Sequence, residues 1–221
     1  MEQNPFTPDY DDLPQTLRVF PLSSAFLLPS GRLPLNIFEP RYLQMIDDAL
    51  AGDRMIGMIQ PEDEQEDTDK PALKSIGCAG KIVEFSETED GRYMVTLSGV
   101  YRFKIDHELS TTKLYRTVQP SWDAFKDDHK AFNCLGLNRD KLKTLLKSFF
   151  KQQEMDCDWQ AVDGAPDGKL ITCLSMVCPF EKKEKQALLE AACCKTRAEL
   201  FIAMLEMAVQ SGTIPMNIKS H

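Results

Sequence analysis

The chain has 221 residues, 43% hydrophobic and 27% charged, with a formal net charge of −8. That is enough to bury a sizeable core in one domain or two small ones, and no apolar run approaches the ~20 residues that cross a bilayer. The acidity also argues against nucleic acid as partner, because phosphates require a basic footprint.

The first half carries strand-like periodicity. Thr16–Leu22 opens it, and an extended apolar run from Arg32 to Phe38 follows. Pro40 then begins a helix pattern through Leu43, Ile46 and Leu50. Proline suits the first helical position, since its missing N–H would have no intrahelical partner there, and Glu39 places negative charge at the positive end of the helix dipole. Gly52 is the expected left-handed cap. Met55–Gln60 and Ile76–Glu87 read as strands, the latter through the alternation around Val83 and Phe85. Asp90-Gly91 supplies a hairpin turn, and Arg92–Leu97 returns from it. Gly99 marks a bend or bulge before Val100–Ile105, and Leu114–Gln119 closes the set ahead of Pro120. Several short strands with one helix predict a twisted or partly closed β lobe.

After Trp122 the period becomes helical. Leu142, Leu145, Leu146, Phe149 and Phe150 form one stripe, with Lys141, Lys143, Lys147 and Lys151 away from it. A second helix is expected over Asp167–Cys178, with Leu170, Ile171, Leu174 and Val177 sharing a face and Pro179 ending it. A third covers Glu181–Cys194, with Leu188, Leu189 and Ala192 inward. Thr196-x-x-Glu199 reads as a capping box opening a fourth helix through Leu200, Phe201, Met204, Leu205 and Ala208 to Gly212. Four amphipathic helices on short connections predict a small bundle.

Charge divides along the same line. Residues 1–120 hold 12 Lys/Arg and 20 Asp/Glu, so 12 − 20 = −8, and residues 121–221 hold 14 of each, so 14 − 14 = 0. Much of the excess lies in Glu62, Asp63, Glu64, Glu66, Asp67 and Asp69, between Pro61 and Pro71, a segment that reads as a solvated loop. It lacks the central glycine and spacing of a calcium loop. The seven cysteines are odd in number and hold no Cys-x-x-Cys pair, which predicts free thiols rather than structural disulfides. Neither their spacing nor the scattered His107, His129 and His221 suits a metal site, so no metal and no cofactor are expected. Met1-Glu2-Gln3-Asn4-Pro5 lacks the regions of a signal peptide, and a cytoplasmic location is expected.

Enzymatic motifs are missing from this sequence. A phosphate loop needs G-x-x-x-x-G-K-[ST], but Gly80-Lys81 and Gly168-Lys169 are followed by Ile82 and Leu170, and Ser75 and Asp163 stand where the first glycine belongs. The nucleophile elbow G-x-S-x-G is absent. Cys134, His107 and Asp128 offer a chance thiol-hydrolase set with nothing else to assemble it. No catalytic residue is assigned, and no enzymatic activity is expected.

The segment Pro34-Leu35-Asn36-Ile37-Phe38-Glu39-Pro40-Arg41-Tyr42 resembles the P-L-x-I-F-E-P-R-Y signature of the Lon protease N-terminal (substrate-binding) domain family. Leu17–Leu27 is similar to that family's first strand, Ile76-Gly77-Cys78-Ala79-Gly80 to its G-x-x-G/A strand entry, and Leu97–Phe103 to its L-x-G-x-x-R-F step. Pro179-Phe180 with Lys185-Gln186-Ala187-Leu188-Leu189-Glu190 resembles P-F-x-x-x-x-K-Q-x-L-L-E of its helical lobe. Two departures are Asn36, where many members carry His, and the acidic 61–71 segment.

The resemblance implies a stand-alone, non-catalytic substrate-binding domain of α+β class. Its expected parts are a flexible N-terminus (1–14), a twisted or pseudo-barrel, PUA-like β lobe with one inserted helix (15–120), a four-helix lobe (121–212) and a tail (213–221). It further implies binding of peptides, unfolded polypeptides or a protein partner, as an adaptor in proteolysis. Phe38, Arg41 and Tyr42 are the candidate binding residues, through apolar pockets and main-chain bonding at a sheet edge. The competing reading is RNA binding, because PUA-like folds occur in RNA-modifying proteins. A basic groove across the β lobe would favour it, an apolar cleft between the lobes the peptide reading.

Overall fold

The computed structural model describes residues 8–62, 70–129 and 136–211. The chain divides into two compact units, Met1–Lys130 and Ala131–His221. Among its described residues the first holds six strands and one α-helix: β1 (Leu17–Pro21), β2 (Arg32–Ile37), α1 (Pro40–Leu50), β3 (Met55–Ile59), β4 (Ile76–Glu87), β5 (Tyr93–Leu109) and β6 (Arg116–Ser121). The sheet runs β2-β5-β4-β3-β1-β6, and β5 also pairs with β6. Five strands therefore form a ring, with β2 as a flap on β5. β1 and β3 are parallel; the other pairs are antiparallel.

The length of β5 makes the closure possible. Its first half pairs with β2 through Arg32↔Ser98 to Ile37↔Tyr93, and its second half reaches β6 through Lys104↔Ser121 to Leu109↔Thr117. A bend between the halves falls where Ala79 opposes Tyr101 and Gly80 opposes Gly99, leaving Val100 as the extra residue of a bulge. Gly99 is needed there for space: its N–H donates to the Gly31 carbonyl at 2.8 Å, and a Cβ would lie 2.0 Å from the Leu28 carbonyl oxygen. Inside the ring Leu17, Val19, Met55, Ile59, Ala79, Val100, Tyr101, Phe103 and Val118 form the core.

α1 buries Tyr42, Met45, Ile46 and Ala49, one stripe of a 3.6-residue period. The expected face through Leu43 and Leu50 is turned aside, and both are half-buried. Gly52 is not the left-handed cap. Ala51 ends α1 in right-handed geometry, and the positive φ falls on Arg54, at 60°. After β6 a 3-10 segment, Asp123–His129, kinks at Phe125. Asp128 ties it to β5, accepting from the Arg102 backbone N–H at 2.9 Å and from its Nη2 at 2.7 Å. The pair is buried, with 4% and 7% of the side chains exposed, and Phe125 lies 4.6 Å beneath the guanidinium.

The second unit contains α2 (Arg139–Gln152), α3 (Trp159–Gly164), α4 (Asp167–Val177), α5 (Lys182–Glu190) and α6 (Cys194–Ser211). The short α3, capped by Asp158, is an addition to the four expected helices. α6 packs on α2, α4 and α5, and Phe149, Phe180 and Phe201 meet with ring centroids 5.9 and 5.5 Å apart. Of the expected α2 stripe, Leu142, Leu146, Phe149 and Phe150 are buried and Leu145 is half-buried. Three details differ. Val177 is 59% exposed. Ala191 rather than Ala192 is buried, because α5 stops at Glu190. The capping box belongs to α5, between Glu181 and Glu184, while Thr196 lies inside α6. Cys194 is disulfide-bonded, correcting the expectation that every cysteine is a free thiol. Cys78, Cys157, Cys173, Cys178 and Cys193 are free.

Candidate functional site

The corner between β2 and α1 separates the three candidate residues. Phe38, just past β2, is 62% exposed, and its ring lies 5.7 Å from the Arg92 guanidinium of the β4–β5 hairpin. Tyr42 turns inward and packs on Phe20 of β1, with centroids 4.1 Å apart. Arg41 lies over the Tyr42 ring at 4.6 Å and pairs with Glu39 at 2.7 Å. The open edge of the flap β2 carries an exposed Pro34, which lacks an N–H and blunts strand addition.

Arg41 and Tyr42, without Phe38, line a cleft of about 330 Å³. Pro21, Leu22, Ser23, Pro61 and Pro71 form part of its wall, Leu114, Tyr115 and Arg116 another, and Lys70 completes it. The approach to β6 is pinned to α1: the Leu114 N–H donates to Gln44 Oε1 at 3.0 Å, and Tyr115 Oη donates to Asp48 Oδ2 at 2.7 Å. Lys113 Nζ reaches the same Asp48 oxygen at 2.9 Å. Held this way, the Leu114 side chain remains 63% exposed. Across the cleft Arg116 donates to the Pro71 carbonyl at 2.6 Å and pairs with Glu108 at 2.6 Å.

Burial pushes the Tyr42 phenol above its ordinary range, with Arg41 partly offsetting it. Burial likewise raises Tyr115, helped by its bond to Asp48. Asp48 is held below the usual carboxylate range by the bond from Lys113 and then that from Tyr115. Both phenols are therefore neutral at physiological pH and act as apolar faces with a polar edge. The cleft combines aromatic, proline and leucine surface with cationic groups.

The other candidates resolve differently. His107 is exposed and contacts Asp106 at 3.1 Å, Asp128 is committed to Arg102, and Cys134 lies outside the described residues. Lys141 and Lys143 pair with Glu206 and Asp163, each at 2.6 Å, and Lys147 lies 5.6 Å over Trp159. The lysine face thus mainly serves its own unit. A cavity of about 380 Å³ between α2 and α6 has both Lys141 and its partner Glu206 in its lining. No group of three or more His, Cys, Asp or Glu side chains is placed to hold a metal among the described residues. Residues 63–69 of the acidic segment lie outside the described residues; Pro61 and Pro71 at its ends are cleft wall. Sequence reasoning missed Lys70, Leu114, Tyr115 and Arg116. The only signal was the pair of prolines.

A ringed mixed sheet with one inserted helix, followed along the chain by a helical unit, is an arrangement found in solved Lon N-terminal domains. The Lon N-terminal domain protein from Xanthomonas campestris matches with a TM-score of 0.58 at 21% identity, over 85% of this chain and 97% of that one. The N-terminal domain of Mycobacterium avium complex Lon protease matches with a TM-score of 0.63 at 17% identity, over 86% and 98%. The family model of the ATP-dependent protease La (LON) substrate-binding domain matches residues 16–207. The chain belongs to that family. Lon protease 2 of Myxococcus xanthus is 24% identical over 197 residues, 88% of this chain and 24% of that protein. Lon protease of Flavobacterium johnsoniae is 26% identical over 217 residues, 95% and 26% of the two. The chain spans about a quarter of the length of these curated relatives.

Proposed function

We propose that this chain is a non-catalytic polypeptide-binding module, with the cleft beside α1 as its docking surface for extended or unfolded segments. The observation that carries the reading is the concave grouping of Tyr42, Leu114, Tyr115 and three prolines in a member of a substrate-binding family. Proline and tyrosine present rigid surface at little entropic cost, and burying a Leu-sized side chain contributes roughly 1.5–3 kcal/mol. A few such anchors must offset the ordering of the bound chain, which sets affinity at micromolar or weaker. In an ATP-dependent proteolytic system the module acts as an adaptor that presents substrates, with the PUA-like β lobe (15–120) as the recognition part. Phe38 lies outside the cleft and serves as an outer contact.

The test titrates a labelled, unstructured, apolar-rich peptide and a labelled single-stranded RNA side by side. Micromolar peptide binding with weak RNA binding is expected. Tight RNA binding that falls steeply with salt, with no peptide signal, would replace this reading by the nucleic-acid one.

A further inference from the structure

We infer that this cleft selects its polypeptides by charge, taking an extended segment in which a carboxylate stands beside an apolar side chain and turning basic segments away. The inference rests on the polypeptide-binding reading and adds the sign of the ligand. Among the described residues, Arg41, Lys70 and Arg116 are the charged groups of the lining, and no carboxylate is among them. Yet residues 1–120 hold 20 acids against 12 bases. The acids that pair with the lining, Glu39 on Arg41 and Glu108 on Arg116, are not themselves lining residues.

Those pairs position the guanidiniums without using them up. Arg41 turns Nε and Nη2 to Glu39, and Arg116 turns Nε and Nη2 to Glu108 and Nη1 to the Pro71 carbonyl. A guanidinium carries five N–H donors, so each retains donors for a further carboxylate. Lys70, exposed in the lining, has no ion pair with any described residue. A ligand carboxylate set here lies next to Tyr42 and Leu114, so one short segment satisfies both chemistries. A lysine-rich segment meets like charge. Three cations around a cavity of about 330 Å³, walled by proline and leucine, do not form the stripe that tracks a nucleic-acid backbone.

The test uses the full chain and three labelled unstructured peptides, identical except that the residues flanking one apolar core are Glu, Gln or Lys. Binding is read by anisotropy at low and high salt, with single-stranded RNA alongside. The Glu peptide is expected to bind tightest and the Lys peptide weakest, about tenfold apart at low salt and closer at high salt. An Arg41→Gln/Lys70→Gln variant, altered at exposed positions, should melt as the parent does and bring the two peptides to within about twofold. Equal binding of all three peptides, or an unchanged preference in the variant, overturns the charge inference while the polypeptide reading stands. Failure of all three peptides to bind overturns both. RNA binding tighter than the Glu peptide assigns the cations to phosphates and overturns the inference.

Discussion

At the scale of single residues, Leu114 separates binding from folding. Its N–H is fixed by Gln44, while its side chain is 63% exposed. Leu114→Ala should shift stability by no more than about 0.5 kcal/mol yet weaken peptide binding several-fold, read by denaturant titration and anisotropy on one sample. Tyr42→Ala makes a poorer probe, because that ring is packed on Phe20 and a large core truncation costs about 3–5 kcal/mol. Cys178 tests burial in the helical unit. Desolvation pushes its thiol up from 9.0 to about 12, so from pH 9 to 12 the folded state retains a proton that the unfolded state has lost. Stability from this group is thus complete below pH 9 and lost as pH rises towards 12. Lys185, lowered by burial, has the opposite sign, so the difference between the parent and Cys178→Ala isolates the thiol. That variant should show a flatter alkaline decline in denaturation midpoint; an unchanged slope would contradict the burial.

At the scale of elements, strongly periodic segments were legible from sequence and their ends were not. The α2 stripe follows its spacing because four large apolar residues on one face leave a single way to bury them. Leu146→Ala should cost roughly 2–5 kcal/mol. Lys143→Ala removes a partly exposed pair with Asp163 and should cost at most about 1 kcal/mol. Denaturation curves in which both changes cost the same would sink that assignment of faces. Ends failed where a local motif had competitors. Thr196-x-x-Glu199 has capping spacing, but α6 begins earlier, at Cys194, while Glu181 and Glu184 form the box at α5. Gly52 suited a left-handed cap, yet the chain turns two residues later, at Arg54. Gly99 was legible as a bulge, though the approach of the Leu28 carbonyl that fixes it involves a distant segment.

At the scale of the whole molecule, what sequence could not convey is what the ring brings together. The signature around Pro40 pointed to Arg41 and Tyr42, and both line the cleft. The opposite wall comes from the approach to β6, brought there through contacts such as Tyr115 to Asp48, 67 positions apart in the chain. No pattern of short period carries such a pairing. Phe38 lies apart from that lining, since neighbours in the signature part company at the strand-to-helix corner. Nor does the acidity of the first half carry over to the cleft, whose described lining is cationic.

The measurement closest to the central claim is a map of backbone amide shifts in the isotopically labelled protein as a neutral, apolar-rich unstructured peptide is added. The account predicts perturbations concentrated at Leu22, Ser23, Arg41, Tyr42 and Leu114–Arg116, with α2–α6 nearly silent. Perturbations confined to the helical unit, or centred on Phe38 and the β4–β5 hairpin with the cleft unmoved, would contradict it.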